Sequence, residues 1–224
     1  MSKNIILGYG ILGKELVKQS GWDYLSRSLN KNFNFKDSNS YKEIISSYNT
    51  VINCIANTDT YSQDKEEHWN VNYKSVSDLI NICNKNNQKI IDISTDYIYS
   101  GSISNASITD VPVHNQTWYG YTKLLGDAYV QLKANNYLII RCGHKPRPFP
   151  YDKGFEDVIG NFDYIDKIVE LIIKLINDDI KGIRNVGTGL KTMYDLALET
   201  KPDIIKTKSD NQLMPKDVSM RIKK

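Results

Sequence analysis

The chain has 224 residues, of which 40% are hydrophobic and 25% charged, with a mean hydropathy of −0.46 and a formal net charge of +3, which is typical of a water-soluble globular protein. The charge is too mild to indicate nucleic-acid binding, and three widely spaced cysteines without a C-x-x-C pair argue against a disulfide framework or a metal site. No apolar run approaches the roughly 18 residues that a membrane helix needs, and the first apolar stretch is too short for a signal peptide, so we expect a cytoplasmic protein without membrane partners.

Short apolar runs of strand type alternate with longer helical patterns along the first half of the chain. The run "NIILG" (4–8) precedes a helical "LGKELVKQ", and strand-like "WDYLS" (22–26) and a brief "FNF" near 33 follow. The helical "YKEIISSY" leads into "TVINCIA" (50–56), an apolar run typical of a buried strand.

The same alternation continues through a long helical stretch at about 64–86 and the strand-like "KIIDIS" (89–94). A loop rich in Ser, Asn and Pro comes next, then the helical "YGYTKLLGDAYVQL" and the strand-like "YLIIRC" (137–142). Repeated β-α units predict a Rossmann-type α/β fold, a doubly wound parallel sheet with helices on both faces.

The pattern breaks after Cys142, where "GHKPRPFPYDKGF" carries three prolines that forbid a regular helix. An amphipathic helix, a short strand "GIRNVG" and a further helix follow. We therefore expect one compact unit with a dinucleotide-binding Rossmann domain over 1–142. A reduced C-terminal substrate lobe over 143–224 would be interleaved with a final strand and helices.

A glycine motif lies directly between the first strand and the first helix. Gly8, Gly10 and Gly13 form G-x-G-x-x-G, with Ile11 and Leu12 inside the loop. The glycines permit a tight turn and close backbone approach, and the helix N-terminus offers N–H groups to a pyrophosphate. A purely structural turn is the alternative, but in this context the motif predicts a dinucleotide site.

The end of the second strand indicates which dinucleotide. It runs into Ser26, Arg27 and Ser28, about 20 residues past the glycines, where an acid would hold the ribose of NAD and a basic or hydroxyl residue would suit NADP. Ser26 and Arg27 favour NADP, with NAD as the alternative cofactor. Arg27 could equally be a solvated loop charge.

Two further motifs carry candidate chemistry. "DISTDYIYSG" follows a strand, at the sheet edge where open α/β folds bind ligands, and "YGYTK" comes about two dozen residues later. Tyr119 lies four residues before Lys123, whereas Tyr121 lies two before it. Only the first spacing places both side chains on one helix face, so Tyr119 is the predicted partner of Lys123. An ordinary surface pair is the alternative.

These two motifs, in this order and after a glycine loop, resemble the extended short-chain dehydrogenase/reductases, and most closely the dTDP-4-dehydrorhamnose reductase branch. The resemblance runs over residues 4 to about 141 and returns weakly at "NVGTG". It implies an NAD(P)H-dependent reductase acting on the 4-keto group of a nucleotide-linked deoxysugar. The chain departs from the family in two ways: its glycine loop is one residue shorter and its substrate lobe is smaller. Whether the protein forms a homodimer is left open.

The resemblance also implies roles for individual residues. Thr95 would hold the substrate carbonyl, and Tyr119 would protonate its oxygen as hydride arrives; Ser94 is the alternative hydroxyl. Lys123 would lower the pKa of the phenol and bind the nicotinamide ribose. Softer matches to cofactor-binding positions are Asp37, Asn53, Ala56, Asn57 and Asn72, each of which could instead be a cap or a solvated polar residue. Candidates for substrate binding are Thr95, Asp96, Tyr97, Arg141, Lys145 and Arg147.

Two other functions remain open at this point. One is a non-catalytic, cofactor-binding regulatory subunit, which the family includes. The retained Thr95, Tyr119 and Lys123 argue against it, and the reduced substrate lobe argues for it. The other is an NAD-dependent nucleotide-sugar epimerase or dehydratase. A dehydratase usually needs a glutamate where this chain has Tyr97 after Asp96.

Overall fold

The computed structural model describes residues 3–112 and 114–223, and its centre is a six-stranded parallel sheet. The strands, in chain order, are β1 (Asn4–Leu7), β2 (Asp23–Leu25), β3 (Thr50–Asn53), β4 (Lys89–Thr95), β5 (Tyr137–Cys142), β6 (His144–Lys145), β7 (Lys153–Phe155), β8 (Ile159–Gly160), β9 (Asp163–Tyr164), β10 (Gly182–Val186), β11 (Lys191–Thr192), β12 (Ile205–Thr207) and β13 (Asp217–Val218). The α-helices are α1 (Ile11–Ser20), α2 (Lys42–Ile45), α3 (Lys65–Trp69), α4 (Ser75–Lys85), α5 (Trp118–Lys133), α6 (Ile165–Asn177) and α7 (Met193–Leu198).

The central sheet has the order β10-β5-β4-β3-β1-β2, and every neighbouring pair is parallel. Helices α1 and α6 pack on one face, and α2, α4 and α5 pack on the other. Because both faces are covered, the strands are continuous apolar runs rather than alternating ones. The predicted Rossmann-type fold is confirmed. The strand order reverses at β1, and such folds bind ligands outside the carboxyl ends of the strands at that point.

The predicted strand at "FNF" is wrong. Phe33 and Asn34 have no regular secondary structure and Phe35 begins a turn, and the two phenylalanines are buried with their ring centroids 5.6 and 6.0 Å from that of Tyr41. The two aromatic side chains gain their burial by packing beside α2 rather than by joining the sheet. Strand β2 is consequently the edge of the central sheet.

The C-terminal lobe has its own small core, beside short strands paired as β11-β8-β13, β12-β7 and β6-β9. Its buried apolar residues are Phe149, Val158, Phe162, Tyr164, Met193, Leu196, Ala197 and Ile204. Between the pieces of this lobe, α6 and β10 return to complete the main sheet. The division of the chain after Cys142 into a dinucleotide-binding part and a substrate part stays a prediction.

The end of the chain is tied to the loop after β4. Ala106 forms an isolated bridge with Met220, and both are buried in a cluster with Ile98 and Tyr99. Across residues 3–112 and 114–223, we find no helix that combines the length and apolar character needed to cross a membrane.

Candidate active site

The glycine loop lies at the carboxyl end of β1, where the sheet order reverses. Gly8 has a φ of +97°, and a Cβ there would come within 2.7 Å of the Ile55 side chain. A Cβ on Gly13 would lie 2.1 Å from the Gly8 carbonyl oxygen, so this glycine lets α1 pack directly on the loop. Gly10 precedes α1 and faces open space, and Leu12 is buried in the core while Ile11 is exposed. No described side chain caps this helix N-terminus, which leaves its N–H groups for a ligand.

These distances separate the roles of two glycines. We expect Gly13→Ala to lower the free energy of unfolding by about 1–3 kcal/mol, because its methyl group meets rigid backbone. Gly10→Ala should cost no more than about 1 kcal/mol in stability, yet weaken NADPH binding because the methyl group occupies the open approach. Urea unfolding and calorimetric titration with NADPH measure both effects. Equal stability of the two variants would contradict this assignment.

The candidate NADP-selecting residues follow β2. Ser26 is buried with its hydroxyl 2.7 Å from that of Ser28, and Arg27 is exposed at the strand end. Asp37 is exposed and accepts a hydrogen bond from the Asn39 backbone N–H at 3.1 Å. Asp37 therefore has the capping role named as its alternative, and its contact with adenine stays a prediction.

The predicted catalytic residues converge beside the carboxyl end of β4. Thr95 ends that strand, and α5 presents Tyr119 and Lys123 on one face. Helix α5 begins at Trp118 because the hydroxyl of the preceding Thr117 accepts a hydrogen bond from the Gly120 N–H at 3.0 Å. Burial raises the pKa of the Tyr119 phenol, and Lys123 and the Thr95 hydroxyl act against that rise.

Lys123 is buried in a strongly polar setting. It is 2% exposed, and its Nζ donates to the Ile93 carbonyl at 2.9 Å and lies 3.6 Å from Asp92 Oδ2. Burial alone lowers the pKa of this amine, but Asp92, Tyr119 and Asp127 outweigh it and the pKa is raised. The amine is thus an ammonium at neutral pH, as stabilisation of a phenolate requires.

Acidic and aromatic side chains border the same site. Asp96 is 4% exposed, and burial raises its pKa to about 6 against the opposing effects of Lys145 and the Thr95 hydroxyl. Burial lowers the pKa of the Lys145 amine, and Asp96 opposes this. The Tyr97 ring lies edge-on to Tyr119, with centroids 5.9 Å apart. The structure therefore brings Asp96, Tyr97 and Lys145 to the predicted catalytic residues.

Two residues near the site were not expected from sequence. The Tyr61 hydroxyl lies 2.8 Å from that of Tyr97, so the loop after β3 contributes to the site wall. Burial and the neighbouring Lys145 lower the pKa of His144 to about 4, so this imidazole is neutral at physiological pH. Neither residue belongs to a spaced motif, so no sequence signal pointed to them.

Arg141 is not a substrate ligand, contrary to the prediction. It is 1% exposed, and its guanidinium donates to Asp127 at 2.9 Å, the Tyr99 hydroxyl at 2.8 Å and the Ile108 carbonyl at 2.9 Å. Its Nε and Nη1 therefore bond to the protein beneath the site rather than to a substrate. The Arg147 guanidinium contacts Asp166 and lies 4.1 Å over the Tyr164 ring, and a substrate contact for this half-exposed residue stays a prediction.

The asparagines among the predicted cofactor ligands act through the protein. Asn72 is fully buried and bonds the Asn57 backbone through both its amide oxygen, at 2.8 Å, and its amide nitrogen, at 3.1 Å. Asn53 is also fully buried and donates to Asp92 at 2.7 Å. The prediction that Asn53 and Asn72 contact a cofactor directly is therefore corrected. Both residues instead support the parts of the protein that border the site. Ala56 and Asn57 are half-buried on the loop that Asn72 holds, and they stay candidates.

Fold and site together define a member of the extended short-chain dehydrogenase/reductases. A family model described as "RmlD substrate binding domain" matches residues 4–144, and the chain belongs to this family. Among residues 3–112 and 114–223, no group of three or more His, Cys, Asp or Glu side chains is placed to hold a metal ion.

Individual relatives agree with this assignment. The spore coat polysaccharide biosynthesis protein SpsK of Bacillus subtilis is 27% identical over 225 residues, which cover 88% of this chain and 77% of that protein. A dTDP-4-dehydrorhamnose reductase of Clostridium acetobutylicum superposes with a TM-score of 0.83 at 21% identity, covering 97% of this chain and 89% of that one. The Bacillus anthracis dTDP-4-dehydrorhamnose reductase, solved with NADP, gives 0.82 at 18% identity, covering 100% and 92%. At these identities the structural likeness shows the fold.

Proposed function

We propose that the protein is an NADPH-dependent reductase acting on the 4-keto group of a nucleotide-linked deoxysugar. The observation that carries this proposal is the convergence of Thr95, Tyr119 and Lys123 beside the carboxyl end of β4, on the same sheet edge as the glycine loop. Two solved relatives are named dTDP-4-dehydrorhamnose reductases, and one of them holds NADP.

The chain's residues fit a dinucleotide phosphate. The Gly8–Gly13 loop gives close backbone approach, and the exposed Arg27 at the end of β2 can meet a 2′-phosphate. When bound, NADPH supplies a hydride. The protein's part is to hold the sugar carbonyl near that donor and to provide a proton to its oxygen.

Tyr119 is the proposed proton donor. Because burial raises the pKa of its phenol, the group keeps its proton at neutral pH and has one to give. Loss of that proton leaves a phenolate, which the Lys123 ammonium stabilises by its charge. We propose that the Thr95 hydroxyl, which donates to Asp96 Oδ1 at 3.2 Å in this structure, turns to hold the carbonyl oxygen and orients it toward the phenol.

The substrate would lie between this edge and the C-terminal lobe. We propose that Asp96 and Tyr97 contact the sugar and that Lys145 and Arg147 meet the nucleotide diphosphate. Both cations come from the segment after β5, where the chain enters the lobe. Residues 143–224 would then act as the substrate-binding part and residues 1–142 as the dinucleotide-binding part.

The direct test is to mix the protein with NADPH and a panel of nucleotide-linked 4-ketosugars and to follow absorbance at the nicotinamide band. We expect consumption of NADPH with at least one of them. Tight binding of NADPH without turnover on any 4-ketosugar would instead indicate a cofactor-binding regulatory protein.

Cofactor selection gives a separate prediction. NADPH should bind more tightly than NADH. Arg27→Ala should reduce the difference between the two binding free energies by about 1.5–3 kcal/mol, the size of one charge-assisted hydrogen bond. Lys31→Ala removes an exposed cation of the same loop and should leave the difference unchanged. Calorimetry with both cofactors decides this, and equal or stronger binding of NADH by the unmodified protein would refute NADP preference.

A further inference from the structure

Beneath the proposed catalytic lysine lies a buried carboxylate that the mechanism above does not use. Asp92 is 1% exposed, and its Oδ1 accepts a hydrogen bond from Asn53 Nδ2 at 2.7 Å. Its Oδ2 has no hydrogen-bond partner among the described residues and lies 3.6 Å from Lys123 Nζ. Burying an ionised carboxylate with an open acceptor is costly, so a compensating charge interaction is expected.

We propose that Asp92 is a positioning residue that keeps Lys123 charged and in place for cofactor binding, with Asn53 fixing the carboxylate. The inference rests on the proposed role of Lys123 as a ligand of the nicotinamide ribose. It assigns a function to a residue outside the glycine loop and outside Thr95, Tyr119 and Lys123.

Several titratable groups face the Lys123 amine. Asp92 comes from β4, Tyr119 and Asp127 from α5, and the thiols of Cys54 and Cys142 from the ends of β3 and β5. Asp127 is already paired with a guanidinium at 2.9 Å. Burial raises the pKa of both thiols, so they are neutral. Asp92 is therefore the facing carboxylate whose charge no second cation neutralises among the described residues.

The distance between the two groups suits a supporting role. An ammonium has three donors, and Lys123 uses one on the Ile93 carbonyl at 2.9 Å. At 3.6 Å from Asp92 Oδ2, the ammonium is attracted by the negative charge but does not form a short hydrogen bond with it. The Asn53 amide donates a hydrogen bond to the other carboxylate oxygen, Oδ1, and so keeps the Asp92 carboxylate from moving closer to the ammonium. No other hydrogen bond of this ammonium to a described residue is present, and we propose that a ribose hydroxyl takes one of the remaining donors.

Asp92→Asn tests this without changing the size of the side chain. Removing the charge leaves the desolvation of Lys123 unopposed by its nearest anion, so the amine loses its proton at lower pH. NADPH affinity, measured by fluorescence titration across the pH range, should match the unmodified protein near pH 6. As the pH rises, the Asp92→Asn variant should begin to lose NADPH affinity at a pH about one unit or more below that at which the unmodified protein does.

Controls separate this from general damage. Ile90→Val alters a buried residue of the same strand and should leave the pH dependence unchanged. Combined with Lys123→Met, the Asp92→Asn change should have no further effect on the pH dependence of NADPH binding. If Asp92→Asn binds NADPH with an unshifted alkaline limb, the proposal for Asp92 is overturned while that for Lys123 stands. If Lys123→Met binds NADPH as tightly as the unmodified protein, both are overturned.

One measurement needs no substitution at Asp92. The Lys123 amine of the unmodified protein can be titrated by NMR after selective labelling, with Lys123→Met to identify its signal. We expect it to titrate above the range of an ordinary lysine. A titration at or below that range would overturn the proposal even if Asp92→Asn failed to fold.

Discussion

Tyr119→Phe should lower kcat by about 10²- to 10⁴-fold while leaving NADPH binding nearly intact. The aromatic ring stays and only the proton-bearing hydroxyl is removed, so the loss falls on the chemical step. The measurement is NADPH consumption with the proposed 4-ketosugar substrate, together with the dissociation constant for NADPH.

Tyr121→Phe is the matched control, because it removes the same atom from the same helix. The Tyr121 ring packs against Trp118, with centroids 6.2 Å apart, rather than beside Lys123. We expect it to retain activity within about twofold, as for a surface change away from the chemistry. If Tyr121→Phe were the inactive variant, the assigned register of the helix face would be wrong.

The parts of the site that depend on short spacing could be predicted from sequence. Gly8, Gly10 and Gly13 lie within six residues, and backbone geometry alone limits what such a turn can do. Tyr119 and Lys123 follow the helical repeat in the same way. The alternating β-α pattern predicted the sheet for a similar reason, since each unit buries its apolar residues on its neighbours.

The parts that depend on contacts between distant segments could not. Asn53 and Asp92 are 39 positions apart and meet only because β3 and β4 are neighbours in register. The same limit explains the errors at Phe33 and Arg141. A three-residue apolar run does not show whether it pairs with a strand or packs beside a helix. An arginine at a strand end does not show whether its side chain bonds within the protein or contacts a ligand.

The buried pair of Arg141 and Asp127 carries the largest expected effect on stability. The two side chains are 1% and 0% exposed, and Nε lies 2.9 Å from Oδ2. Arg141→Met should lower the free energy of unfolding by about 3–5 kcal/mol, because it leaves a carboxylate buried without its cation. Arg147→Met, which breaks a half-exposed pair with Asp166, should cost about 1 kcal/mol or less. Urea unfolding of the three proteins measures both losses.

The pH dependence of this loss identifies its cause. Burial already raises the pKa of Asp127 in the folded protein, and removing Arg141 takes away the first of the charges that oppose the rise. A carboxyl whose folded pKa is raised stabilises the fold while protonated and loses that contribution as pH increases. Arg141→Met should therefore be more destabilised at pH 8 than at pH 5, and adding Asp127→Asn should recover part of the loss at pH 8. A loss that is equal at both pH values and unaffected by Asp127→Asn would point to lost packing of the long arginine side chain instead of an uncompensated charge.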